Sequence, residues 1–143
     1  MDCIFCDIAT KKSGAEIVFE NENIIAFLDI NPINFGHTLV IPKVHYDNFL
    51  TIPVKELEEM TRLTQYLAGT VKRALNATGF NIISNNGSSA GQTVYHFHYH
   101  IIPRFDNDFH MRPRTIGYGE DEMQKYSEKI KTSIAKYGDL LNG

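Results

Sequence analysis

The chain has 143 residues, enough for one domain that buries roughly 70% of its unfolded surface. Apolar and charged residues make up 43% and 22%, ordinary values for a globular protein, and a formal charge of −3 without a basic run argues against nucleic acid as a partner. Met1 to Asp7 offers neither the basic nor the apolar segment of a signal peptide, and no apolar run reaches the ~18 residues of a membrane span, so the expected location is the cytoplasm.

Only two cysteines occur, Cys3 and Cys6. Three residues apart, they cannot staple distant parts of a secreted fold; in a cytosolic chain such a pair suits metal binding or redox chemistry. Phe5 to Thr10 reads as a turn of helix that ends at Lys11-Lys12-Ser13-Gly14. Ile17 to Glu20 and Ile24 to Leu28 read as strands joined through Asn21-Glu22-Asn23. Asp29-Ile30-Asn31-Pro32 is a turn, and Gly36 to Pro42 a third, β-branched strand with His37 at its head. Pro42 and Lys43 end that strand, and His45 follows in the next loop.

From Pro53 to about Thr78 the apolar period changes. Leu57, Met60, Leu63, Leu67, Val71 and Leu75 fall at steps of three and four, which predicts an amphipathic helix with Pro53 in its first turn and Gly79 at its C-terminal end. Phe80 to Ser84 is a fourth strand. The polar loop Asn85 to Thr93 follows, with Gly87, Ser88, Ser89 and Gly91 able to bring backbone N–H groups close to anionic oxygens. Gln92 adds a neutral amide suited to a bridging oxygen or an attacking water.

The loop runs directly into Tyr95-His96-Phe97-His98-Tyr99-His100-Ile101-Ile102-Pro103-Arg104, which holds half of the chain's six histidines. Side chains alternate across a strand, so His96, His98 and His100 are expected on one face while Phe97, Tyr99 and Ile101 enter a core behind it. At ~3.3 Å per residue, His96 and His100 would lie about 13 Å apart. Zinc–nitrogen bonds are ~2.1 Å, so one metal could take two neighbours of the row and leave at least one imidazole for other chemistry. Beyond Arg104 comes an irregular segment with Asp106, Asp108, His110, Arg112 and Arg114. A last helix, Asp121 to Tyr137, carries Met123, Tyr126, Ile130, Ile134 and Tyr137 on one face. The order of elements gives an α+β fold with a five-stranded, mainly antiparallel sheet, one long helix and a C-terminal helix, in a single domain over residues 1–143.

His-Phe-His-Tyr-His-Ile-Ile matches the alternating His-φ-His-φ-His-φ-φ signature (φ, hydrophobic) of the histidine triad superfamily of nucleotide hydrolases and transferases. Cys3-Ile4-Phe5-Cys6, Ala26-Phe27-Leu28-Asp29-Ile30, Gly36-His37-Thr38-Leu39-Val40-Ile41-Pro42-Lys43 and Gly91-Gln92-Thr93-Val94-Tyr95 resemble that family's blocks in order and spacing, from about Cys3 to Arg104. The chain is most similar to the bacterial relatives of the histidine triad nucleotide-binding proteins.

The resemblance implies a purine nucleotide, AMP or an AMP derivative, with its α-phosphate on the triad. His98 would be the nucleophile and His100 the partner of a phosphate oxygen. Gln92 and Thr93 would position the phosphoryl and leaving groups, with Asn85, Gly91, Val94 and nearby backbone N–H groups around them. Asp29 would accept from the ribose hydroxyls; Phe5, Ile8, Phe27, Leu28, Ile30 and Leu39 would enclose base and sugar, and His37 would stand behind the catalytic imidazoles. Many bacterial members carry this cysteine pair together with histidines equivalent to His45 and His96, so the resemblance implies a structural zinc on Cys3, Cys6, His45 and His96. The resemblance also implies a homodimer through the long helix and an adjacent strand, and no magnesium requirement. Two departures stand out: the chain has no tryptophan, which the related branch often carries near its C-terminus, and Thr93 stands where serine is commoner.

The expected activity is hydrolysis of adenosine phosphoramidates through a nucleotidyl-histidine, with dinucleoside polyphosphates as the alternative substrates. Arg104, Arg112 and Arg114 would favour the latter if they faced the site. Two further readings are a metallohydrolase with catalytic zinc on His96 and His98, and a nucleotide-binding module without turnover.

Overall fold

The computed structural model describes residues 2–108 and 113–138, in two compact units that divide at residues 109 and 110. Five strands belong to the first unit: β1 (Ile17–Glu20), β2 (Ile24–Leu28), β3 (Thr38–Pro42), β4 (Gly79–Ile83) and β5 (Tyr99–Arg104). They pair antiparallel in the order β1-β2-β3-β5-β4, the expected α+β sheet. No helix among the described residues is long and apolar enough to cross a membrane.

The sheet is covered on both faces, which is why β2 and β3 are near-continuous apolar runs instead of alternating ones. On one face Ala26, Val40, Phe97, Tyr99 and Ile101 pack with Met60, Leu67 and Ala68 of the long helix α2 (Val54–Ala74). On the other, Ile25, Phe27, Leu39 and Ile41 meet Phe5 and Ile8 of α1 (Ile4–Ala9). Register then fixes the site. Phe27 lies opposite Leu39, and Leu39 opposite His100, so the last triad histidine stands in an apolar row on the α1 face.

Three boundaries differ from the sequence expectation by two residues or more. Helix α2 stops at Ala74, and Asn76, not Gly79, makes the left-handed turn (φ 55°) while the Ala77 N–H donates back to the Lys72 carbonyl. Asparagine tolerates that region, and Gly79 opens β4 instead. Gly36 and His37 precede β3; Gly36 has φ +93°, and a Cβ there would collide with Leu75. The histidine strand begins only at Tyr99. The Phe97 N–H donates to the Tyr46 carbonyl at 2.6 Å and the His96 carbonyl meets the His98 ring, so neither group joins a ladder. The alternation of faces survives for Phe97 to Ile101.

The second unit contains α3 (Glu122–Tyr137). Its expected apolar residues, Met123, Tyr126, Ile130, Ile134 and Tyr137, are all at least half exposed.

Candidate active site and metal-ligand cluster

A cavity of about 360 Å³ opens on the α1 face of the sheet. Phe5, Ile8, Phe27, Leu28, Asp29, Ile30, Leu39, Thr93, Val94, His98 and His100 line it, as do Ile4, Asn31 and the Ser13-Gly14-Ala15 segment. Its walls are apolar, and the two imidazoles and Asp29 stand at its polar end. Phe5 meets the His98 ring edge-on at 5.1 Å, and His98 meets His100 at 4.8 Å, so each imidazole is held between neighbours.

The ring nitrogens divide by what they face. His98 Nδ1 lies 2.7 Å from the His96 carbonyl. A carbonyl only accepts, so Nδ1 carries the hydrogen and Nε2 keeps its lone pair. The Ile33 N–H donates to His37 Nδ1 at 3.1 Å, which leaves the His37 hydrogen on Nε2. That Nε2 lies 2.9 Å from His100 Nδ1, which must accept. His100 therefore bears its hydrogen on Nε2, a buried atom with no hydrogen-bond partner among the described residues. The site presents one imidazole lone pair and one imidazole N–H side by side.

Burial holds all of these rings neutral at pH 7. It lowers His37 and His98, and, together with His98 and His37 as neighbours, brings His100 down to about 4. Asp29 Oδ2 is 3.7 Å from His37 Nε2, and its Oδ1 accepts from the Asn31 N–H.

A second cluster lies at the start of the chain. Cys3 caps α1, its Sγ accepting from the Cys6 N–H. His96 Nδ1 is 3.5 Å from both Sγ atoms, and His45 Nδ1 is 3.3 Å from that of Cys6. In a tetrahedral site with Zn–S ~2.3 Å and Zn–N ~2.1 Å, sulfur and nitrogen would stand roughly 3.5 Å apart. The donor set fits. The far nitrogens are held as metal-bound histidines require: His96 Nε2 donates to the Pro42 carbonyl at 2.7 Å and His45 Nε2 to Asp47 at 2.8 Å, leaving both Nδ1 lone pairs free. Burial, then Cys3 beside it, push the Cys6 thiol up to about 11, the reverse of a redox-active Cys-x-x-Cys.

A HIT domain model matches residues 10–107, about two thirds of the chain. The chain belongs to the HIT family. An uncharacterised HIT-like protein of Methanocaldococcus jannaschii is 47% identical over 90% of this chain and 96% of its own length. The adenylylsulfatase HINT3 of Arabidopsis thaliana is 36% identical over 95% of this chain and 69% of its own. A Zn-bound histidine triad family protein from Mycobacterium smegmatis superposes with a TM-score of 0.74 at 37% identity, covering 82% of this chain and 85% of that one.

Within this HIT protein the other residues singled out in the sequence take different places. Gln92 does not line the cavity: its carbonyl oxygen accepts from the Gly87 N–H, and its amide nitrogen donates to the Asp47 and Val94 carbonyls. It is a buried staple between the metal-ligand loop and the loop before the triad. Asn85, Gly87, Ser88, Ser89 and Gly91 do not line the cavity either, and the Ala90, Gly91 and Gln92 N–H groups are taken by carbonyls of their own turn. A catalytic zinc shared by His96 and His98 has no geometric basis, because both His96 nitrogens are engaged elsewhere. Arg104 bonds Asn81 and pairs with Asp108, Arg114 is exposed, and His110 and Arg112 lie outside the described residues. The Ser13–Ala15 wall was missed; small residues after a short helix are too common to signal a pocket.

Proposed function

We propose that this HIT protein cleaves at the α-phosphate of adenosine phosphoramidates through a covalent nucleotidyl-histidine on His98. One observation carries the reading: the His96 carbonyl holds Nδ1–H of His98, so a neutral imidazole at pH 7 aims its Nε2 lone pair into the cavity. Base and sugar fit between Phe5, Ile8, Phe27 and Leu39, with Asp29 accepting from the ribose hydroxyls. His100 Nε2–H, which has no partner among the described residues, donates to a phosphate oxygen and stabilises charge that grows there.

His98 Nε2 attacks phosphorus, the P–N bond breaks, and its electron pair leaves on the amine, which takes a proton from solvent. The positive charge on the nucleotidyl-imidazole is stabilised by the Nδ1–H bond to the His96 carbonyl. Water then attacks phosphorus, the bond to Nε2 breaks with its electron pair returning to the ring, and the surplus proton leaves to solvent. The adenylylsulfatase relative supports an adenylyl group as the unit transferred.

The cluster of Cys3, Cys6, His45 and His96 would hold a structural zinc, a reading supported by its donor spacing and the Zn-bound relative. Zinc there would fix the start of the triad segment and takes no part in the reaction. A homodimer through α2 and edge strand β4 is the matching assembly, favoured by the half-exposed Phe80 and Ile82 on that edge. Sedimentation of the full chain reads the dimer directly.

The catalytic reading is tested with an adenylyl phosphoramidate labelled at the α-phosphate. Quenching in mild base should leave an acid-labile label on the chain, absent from His98→Ala. Turnover by His98→Ala at the parental rate would sink the proposal.

A further inference from the structure

Asp29, His37 and His100 offer a carboxylate oxygen and two imidazole nitrogens within 4.8 Å of one another, as the donors of the thiol cluster also lie. His37 Nε2 and His100 Nδ1 are 2.9 Å apart, near the roughly 3.3 Å that two nitrogens on one tetrahedral zinc would keep. Distance alone does not separate the two groups of donors. The far side of the rings does.

In the thiol cluster the far nitrogens meet acceptors, so the near nitrogens are left with lone pairs for a cation. At the active site, the far nitrogen of His37 meets a donor, the Ile33 N–H. Its hydrogen must then sit on Nε2, the very atom a metal would need. Binding a cation there would drive that hydrogen to Nδ1 and set two N–H groups face to face beside a ring that is 2% exposed. A buried donor left without an acceptor loses its hydrogen bond to water and gains none in return. The same N–H, acting through His37, makes His100 a donor.

The Ile33 N–H is held from outside the site. Asn34 accepts from the His37 N–H through its carbonyl, and its side chain donates to the Pro103 carbonyl at 2.9 Å and to Asp108 Oδ2 at 2.7 Å. Asp108 is anchored in turn by the Phe105 N–H and by Arg104. The segment between β2 and β3 is thereby pinned to the segment after β5.

We propose that the Asn34–Asp108 pin is a positioning device: by keeping the Ile33 N–H on His37 it holds His100 as a hydrogen donor and keeps transition metals off the active site. Asn34 and Asp108 touch no substrate in this scheme. It extends the proposed function, naming what keeps that site metal-free, but is tested without turnover.

Cobalt(II) is the probe, because thiolate ligands give it a charge-transfer band that carboxylate and imidazole ligands do not. The parent should saturate with one cobalt per chain, bearing the thiolate band, and nitrogen NMR should show the His37 hydrogen on Nε2. Asn34→Ala and Asp108→Ala should accept a second cobalt without that band, with affinity at least on the order of tenfold above any second-site binding by the parent. Both should also show mixed His37 tautomers. Asp108→Asn, which keeps an acceptor oxygen for Asn34, should behave as the parent. Two results would overturn the proposal: a second cobalt in the parent that His37→Gln removes, or one cobalt and parental tautomers in both alanine variants. Because neither readout needs substrate, a catalytically silent parent would defeat the phosphoramidase reading and leave this one standing.

Discussion

His96 and His98 are two residues apart, both buried and both neutral at pH 7, yet they belong to different chemistry. His96 turns Nδ1 to two thiols because its Nε2 is held by the Pro42 carbonyl; His98 turns Nε2 to an open cavity because its Nδ1 is held by the His96 carbonyl. The same contrast separates His45, held by a carboxylate, from His37, held by an N–H. What a histidine can do here follows from the partner of its hidden nitrogen, and that partner is a backbone group in three of the four cases.

The contrast is broken most completely at the nucleophile. His98→Ala should reduce adenylyl turnover by at least ~10³-fold while metal content, read by elemental analysis, stays parental. On the other side, Cys3→Ser or His45→Ala should lose most of the bound metal, with a lower melting temperature; full metal content in both variants would rule the ligand set out. A smaller effect is expected at Asp47, whose carboxylate orients His45. Asp47→Ala should weaken zinc about 10–100-fold in a chelator competition and leave His98 labelling intact.

The smallest effect is the response to pH. His100 is depressed from its ordinary value to about 4 by burial, with His98 and His37 adding to it. An unfolded chain therefore binds this proton more readily than the folded one. The stability His100 contributes is fully present above about 6.5 and is lost as pH falls through 4. Urea unfolding of the parent and of His100→Gln at pH 7 and pH 4.5 measures it, and the variant should lose less stability between the two.

Much of this was legible in the residues. Alternation of histidine with large apolar side chains located the core behind the triad, because Phe97, Tyr99 and Ile101 have one favourable environment. The three-and-four spacing in α2 and the apolar runs of β2 and β3 follow from the same burial logic. Residues 95–98 did not read correctly, because strand pairing depends on which carbonyl meets the Phe97 N–H, and Tyr46 is remote in sequence. The bonds of Gln92 to Gly87, Asp47 and Val94 gave no signal, because a neutral amide in a glycine loop suits a ligand and a staple equally well. The Ile33 N–H gave no signal at all, since every residue but proline carries one. In α3 the period predicted a helix and its apolar stripe; periodicity does not name what the stripe faces.

Hidden-nitrogen partners assign the histidines their roles. Long-range proton–nitrogen correlation of the imidazole rings in the zinc-loaded protein at pH 7 tests this assignment in one spectrum. Hydrogen should sit on Nδ1 of His98 and on Nε2 of His37, His45, His96 and His100. A His98 ring with its hydrogen on Nε2, where the attacking lone pair should be, would contradict it.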